Sequence, residues 1–101
     1  MKQKAVVLSP KDNVATALIS LPVGETLELE VGGHRQIIKL NADIPLGHKF
    51  SIRLIAPEEN IIKYGEIIGK ATEEVKPGEY VHIHNVAALR GRGDIKKGGD
   101  K

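Results

Sequence analysis

The chain has 101 residues, 41% hydrophobic and 3% aromatic, with no cysteine and a formal net charge of +2. A domain of this size buries roughly 60–70% of the surface its unfolded chain exposes, which supports one modest core but little chain for a self-contained deep cleft. Three aromatic residues (Phe50, Tyr64, Tyr80) cannot build the base-stacking platform of a single-strand binder, and the lack of cysteine excludes thiolate chemistry, a cysteine-based zinc site and a disulfide framework.

The pattern along the chain is strand-like almost throughout. Lys4 to Leu8 reads as a short buried strand, closed by the turn signal Ser9-Pro10-Lys11-Asp12-Asn13. Its apolar run is far shorter than a signal peptide, and no segment approaches membrane-span length. No membrane partner is expected, and the cysteine-free composition mildly favours a cytoplasmic protein. Val14 to Leu21 is apolar with Thr16 and Ser20 interposed, and periodicity alone leaves strand and helical turn both open.

From Glu25 to Val31, Leu27, Leu29 and Val31 alternate with Thr26, Glu28 and Glu30, and Gly32-Gly33 follows, a pair suited to a two-residue hairpin turn. Pairing Val31 with His34 places Glu30 opposite Arg35 and Leu27 opposite Ile38, so charge and hydrophobic register agree. His34 falls on the apolar face and is expected to be structural. Phe50, Ile52 and Leu54 alternate again before the turn at Ala56-Pro57-Glu58-Glu59-Asn60. The couples Ile61-Ile62 and Ile67-Ile68, with Gly65 and Gly69 close by, predict bent strands and no long helix. Leu21-Pro22-Val23-Gly24, Ile44-Pro45-Leu46-Gly47 and Val75-Lys76-Pro77-Gly78 each launch a strand, as expected of a compact, multiply turned β-domain.

Glu79 to Asn85 is the stretch richest in chemistry. As one strand it would send Val81 and Ile83 to one face and Tyr80, His82 and His84 to the other. Beyond residue 88 the composition changes: residues 89–101 are expected to form a flexible tail rich in Gly, Lys and Arg. The triplet Arg92-Gly93-Asp94 there is read as a chance occurrence. The basic residues before that tail alternate with acidic ones, a solvated surface and not a nucleic-acid footprint.

At residues 47–85 the chain resembles a known family. Gly47-His48-Lys49, Ile62-Lys63-Tyr64-Gly65, Ile68-Gly69-Lys70-Ala71 and Gly78 to Asn85 occur in order, after an opening Asp12-Asn13-Val14-Ala15. Together they resemble the N-terminal SAF (antifreeze-like) domain of the altronate and galactarate dehydratases. The resemblance covers roughly residues 10–86. It implies a mostly β fold, a compact β-clip over residues 1–88 with bent hairpins and at most short helical turns. It further implies a large catalytic dehydratase chain as partner, fused or separate. The small subunit of sulfolactate sulfo-lyase resembles this arrangement too.

Under that resemblance the candidate site residues follow. Dehydrating a sugar acid removes a weakly acidic proton α to a carboxylate and expels the β-hydroxyl, so the enediolate needs a divalent metal or fixed cationic donors, with a base and an acid. His48 and Lys49 are expected as catalytic groups, for carboxylate binding or general base. Lys63, Tyr64, Asp12 and Asn13 are expected to bind substrate. His82 and His84 are expected as ligands of a divalent metal, of iron or manganese type, completed by the large subunit or by His48. Asp12 and Asn13 also fit turn-capping roles, and Tyr64 fits core packing. Three functions stay open: the small subunit of a two-part sugar-acid dehydratase, a non-catalytic sugar-acid-binding or docking module, and the small subunit of a sulfolactate sulfo-lyase-like enzyme.

Overall fold

The computed structural model describes residues 3–88; the expected tail and its Arg92-Gly93-Asp94 triplet lie outside them. Nine strands and no helix occur among the described residues: β1 (Ala5–Val6), β2 (Val14–Ala17), β3 (Thr26–Val31), β4 (His34–Lys39), β5 (Lys49–Ser51), β6 (Asn60–Lys63), β7 (Glu66–Ala71), β8 (Tyr80–Val81) and β9 (Val86–Ala88). They form three antiparallel sheets, ordered β1-β2-β5-β8, β3-β4 and β6-β7-β9. The open run at residue 14 is therefore strand.

The four-stranded sheet lies between two hydrophobic cores, and side-chain alternation decides which residue joins which. Ala15 and Phe50, paired across β2 and β5, join a cluster with Leu27, Leu29, Val31 and Ile38 of the β3-β4 hairpin, against which Tyr80 packs. Val14 and Val81 point the other way, into a cluster with Ile55, Ile61, Ala71 and Val75 that Ile68 and Val86 flank. With both faces covered, all four residues of β2 are buried. Gly69 lets β9 cross closely, since a Cβ there would lie 2.6 Å from the Ala87 carbonyl oxygen.

The β3-β4 hairpin forms in the expected register, with Val31 opposite His34, Glu30 opposite Arg35 and Leu27 opposite Ile38. Gly32 and Gly33 have φ of 59° and 82°, as a type I′ turn requires. Two details differ. Arg35 donates to the diagonal Glu28 at 3.2 Å instead of the facing Glu30. His34 shares the face of Val31, but at the hairpin's end nothing covers it and it is exposed.

Four type II turns launch strands: the three expected to do so and the turn expected at Ala56-Pro57-Glu58-Glu59. In each, the carbonyl of the first turn residue accepts from the N–H three residues on: Pro22 from Glu25 (3.2 Å), and Pro45 from His48, Ala56 from Glu59 and Lys76 from Glu79 (3.0 Å each). The third position has φ of 90°, 84° and 88° at Gly24, Gly47 and Gly78, and 73° at Glu58. A type II turn needs positive φ at that position, normally supplied by glycine. The residues ahead of the turns pair as isolated bridges, Leu21 with Ile44 and Ile55 with Val75, so the turns clamp the domain as two linked pairs.

Candidate functional site

The expected strand from Glu79 to Asn85 ends after two residues. Beyond Val81 the chain turns, because the Asn85 side chain takes over the backbone's hydrogen bonds: its Oδ1 accepts from His82 N (3.0 Å) and its Nδ2 donates to Tyr80 O (2.9 Å). Asn85 N donates to His82 O at 3.1 Å, and Asn85 O accepts from Thr72 N at 2.9 Å. The side chain of Asn85 is buried, so the turn is pinned from below. Val81 and Ile83 do not share a face: Val81 is fully buried, while Ile83 at the turn's tip is 83% exposed.

The expected gathering of Tyr80, His82 and His84 nevertheless occurs, and His48 joins it. His82 stacks on Tyr80 at 5.4 Å between ring centroids with 10° between planes, and His84 lies 5.6 Å from Tyr80. The His48 ring is 4.8 Å from that of His82, and its Nδ1 lies 2.6 Å from the Tyr80 hydroxyl. The turn at Pro45-Leu46-Gly47 places His48 at its fourth position, on the side of β5 that Phe50 occupies.

Lys49 points to the opposite side of β5. There it pairs with Thr16 across β2, and Tyr64, at the β6-β7 turn, brings its hydroxyl to 3.4 Å from Thr16 Oγ1. Lys63 sets its Nζ 4.9 Å from the Tyr64 ring centroid, a cation–π contact. Lys49 also lines a cavity of about 210 Å³ with Ile68, His82, Ile83, Val86 and Ala88. His48 and Lys49, adjacent in sequence, thus belong to the two faces of the sheet, and His82 at its edge reaches both.

Burial, then the nearby Lys63 ammonium, lowers the Lys49 pKa below the ordinary lysine range. His82 is likewise lowered, first by desolvation and then by His48, Lys49 and His84. Every charged cause is of like sign. Among the described residues, none of Lys49, Lys63, His48, His82 and His84 forms an ion pair, the three pairs being Lys4–Glu25, Arg35–Glu28 and Lys70–Glu58. The edge at β8 thus gathers basic groups that make no ion pair among the described residues.

Asp12 and Asn13 are buried and bond the backbone on either side of Lys63 and Tyr64. The Asp12 carboxylate accepts from Leu8 N (3.3 Å) and Ser9 N (3.2 Å) on Oδ2 and from Gly65 N (2.8 Å) on Oδ1. Asn13 Nδ2 donates to Asn60 O and its Oδ1 accepts from Ile62 N, both at 2.8 Å, so its amide pairs with β6 like a short piece of strand. Every hydrogen bond of both side chains among the described residues goes to backbone groups, a structural task.

For the divalent metal, the donor set is incomplete. Among the described residues no group of three or more His, Asp or Glu converges as ion ligands. His82 and His84 each pack on Tyr80, and the Nδ1 of His48 is engaged by that residue's hydroxyl. A centre needs three or more ligands, and these residues do not make one by themselves.

Tyr80 and Asn85 were absent from the expected site, although both lie in the histidine-rich stretch. The Asn that ends it was a usable signal, since Asn side chains commonly fold back on turns; the pairing of Tyr80 with His48 links positions 32 residues apart and leaves no local trace.

Residues 3–89 match the family model for the altronate/galactarate dehydratase SAF domain. An altronate dehydratase of Escherichia coli (strain K12) is 43% identical over 74 residues, which cover 73% of this chain and 14% of that protein. One of Bacillus subtilis (strain 168) is 34% identical over 80 residues, 79% of this chain and 15% of that protein. The alpha subunit of a (2R)-sulfolactate sulfo-lyase from Chromohalobacter salexigens is 47% identical over 47 residues, 46% of this chain and 50% of that subunit. Each match takes in half or less of the relative's length. No helix among the described residues is long and apolar enough to cross a membrane.

Proposed function

The chain belongs to the SAF domains of the altronate/galactarate dehydratase family, and from that premise we propose that it supplies a basic rim to the active site of a sugar-acid lyase whose remaining groups come from a larger catalytic chain. The observation that carries this reading is the cluster of Lys49, Lys63, His48, His82 and His84, none of them ion-paired among the described residues. Assembling like charges is unfavourable unless an anion joins them, and a hydroxy-acid carboxylate is such an anion.

The roles follow from the geometry. Lys49, its pKa lowered by burial and Lys63, is the group best suited to accept the α-proton, since a base works best with a pKa near the working pH. Lys63, His48 and His82 hold the carboxylate and the charge that grows on it as the proton leaves. Tyr64 carries Lys63 and borders the ligand. Any divalent metal would be completed by the larger chain, with His82 or His84 contributing at most part of its shell. The reaction would take place in the cytoplasm, on an altronate- or galactarate-type acid.

Assaying the purified chain with and without its larger partner tests this. Dehydration of altronate or galactarate is expected only from the reconstituted pair, with Lys49→Met reducing it at least about a hundredfold. Full activity from this chain alone would overturn the two-part reading. A second reading, a non-catalytic docking module, is favoured by the exposed Ile83 beside the apolar cavity of Ile68, Val86 and Ala88. The double variant His82→Ala, His84→Ala separates the two: unchanged turnover with weakened assembly points to docking.

A further inference from the structure

The contact between His48 Nδ1 and the Tyr80 hydroxyl, 2.6 Å apart, bears on which atom of His48 carries a proton. A phenol is a strong hydrogen-bond donor and a weak acceptor, whereas the bare nitrogen of a neutral imidazole is a strong acceptor. The favourable arrangement is therefore O–H···Nδ1, with the ring proton on Nε2. The partner of one ring nitrogen sets the tautomer of the other. No described carboxylate pairs with His48 to compete for that nitrogen. Tyr80 is itself held in place: its ring packs on the core beneath β5, and its carbonyl accepts from the buried Asn85.

We propose that Tyr80 is a positioning residue that locks His48 as the Nε2–H tautomer, so that His48 acts as a hydrogen-bond donor to an anionic oxygen of the bound acid and not as a base. The donor's target rests on the sugar-acid reading above; the tautomer does not. A neutral ring whose Nδ1 already accepts from Tyr80 has no lone pair left to take a substrate proton. It offers one N–H, the group that suits a carboxylate or enediolate oxygen. The division of labour follows: His48 donates, and Lys49 on the other face of β5 takes the proton.

The test has two arms. Nitrogen-15 spectra of the full chain at pH 8.5, where its rings are neutral, should give His48 a pyridine-like shift at Nδ1 and a pyrrole-like shift at Nε2, and Tyr80→Phe should abolish that single fixed pattern. The opposite assignment in the wild type overturns the proposal. In the second arm, galactarate binding and turnover are measured on the reconstituted enzyme with His48→Gln and His48→Ala. A glutamine amide can place its N–H near the Nε2 position but cannot act as a base. His48→Gln should stay within about threefold of wild type, while His48→Ala weakens binding roughly tenfold to a hundredfold, the worth of one hydrogen bond to a charged group. Equal loss in both variants overturns the donor role. If the shifts are as expected but galactarate leaves His48 unperturbed in the wild-type enzyme, the tautomer stands and the donor role falls with the sugar-acid reading.

Discussion

Replacing Asp12 with Ala removes the acceptor of three backbone N–H groups, and the structure sets the scale of the loss. Gly65 N lies 2.8 Å from Oδ1, a short bond to a charged group, of the kind that contributes about 1.5–3 kcal/mol. Leu8 N and Ser9 N share Oδ2 at 3.3 and 3.2 Å, longer contacts that together add about 1–2 kcal/mol. The total, roughly 2.5–5 kcal/mol, is a large part of the 5–15 kcal/mol that holds a typical domain. Asp12→Ala should therefore be strongly destabilised, losing about 2.5–5 kcal/mol. Asp12→Asn keeps one oxygen, which serves Gly65, while its amide nitrogen faces the Leu8 and Ser9 donors, so a loss of about 1–3 kcal/mol is expected. Urea unfolding followed by circular dichroism reads both. With a slope near 1 kcal/mol per molar for so small a domain, Asp12→Asn should lower the midpoint by about 1–3 M. At a temperature where it remains folded, its KM in the reconstituted enzyme should stay within about threefold of wild type. A tenfold rise in KM with an unchanged midpoint would show that Asp12 serves the ligand, and the structural assignment would be refuted.

Four further outcomes follow from the same structure. Glu58→Gly should raise stability by about 0.5–1 kcal/mol by relieving the left-handed backbone of a non-glycine residue, since Glu58 has φ of 73° and its contact with Lys70, at 4.0 Å, is too exposed to matter; an unchanged thermal midpoint would refute this. Gly78→Ala should cost more than about 3 kcal/mol, because a Cβ would lie 2.1 Å from the Lys39 carbonyl oxygen on top of a φ of 88°; a stable, soluble variant would contradict it. Because the folded state holds the His82 pKa below its ordinary value of about 6.5, stability is full above that pH and falls as pH drops through it toward the lower folded value. The decline of the urea midpoint from pH 8 to 5.5 should accordingly be smaller in His82→Gln than in wild type. Lys49 is also lowered, so carrying its charge opposes folding and stability rises as pH climbs through the folded pKa toward the ordinary lysine value; Lys49→Met should raise the pH 7 midpoint while turnover collapses, and a lowered midpoint would overturn that account.

What the sequence made legible divides along physical lines. Strand alternation and the Gly32-Gly33 pair are local, and the β3-β4 register followed from them residue by residue. The turn at Ala56-Pro57-Glu58-Glu59 was expected, but its likeness to the other three was masked because Glu58 occupies the position where they have glycine. Yet Ile55-Ala56-Pro57-Glu58-Glu59 matches Val75-Lys76-Pro77-Gly78-Glu79 in its proline and its final glutamate, and both glutamates accept from the N–H three residues earlier, Ala56 and Lys76. That correspondence was available. The premature end of β8 was harder, because alternation cannot reveal that Asn85 will replace a ladder with its own side chain. Period-2 patterning did bring Tyr80, His82 and His84 together, though by a turn and not a strand. It could not show that His48 and Lys49 part to opposite faces around Phe50, since that depends on where β5 begins.

The covered sheet has a consequence for how this module can change. With β2 and β5 packed on both faces, a new binding group cannot be introduced there without disturbing a core. The segment His82-Ile83-His84 is different: it hangs beyond the edge strand, its tip is in solvent, and Asn85 rather than its own side chains holds it in shape. None of the three side chains belongs to either core or to a type II turn, whereas a change of length would part His82 from the Asn85 bonds that pin the turn. The side chains of this loop can therefore vary while the scaffold beneath them stays constant.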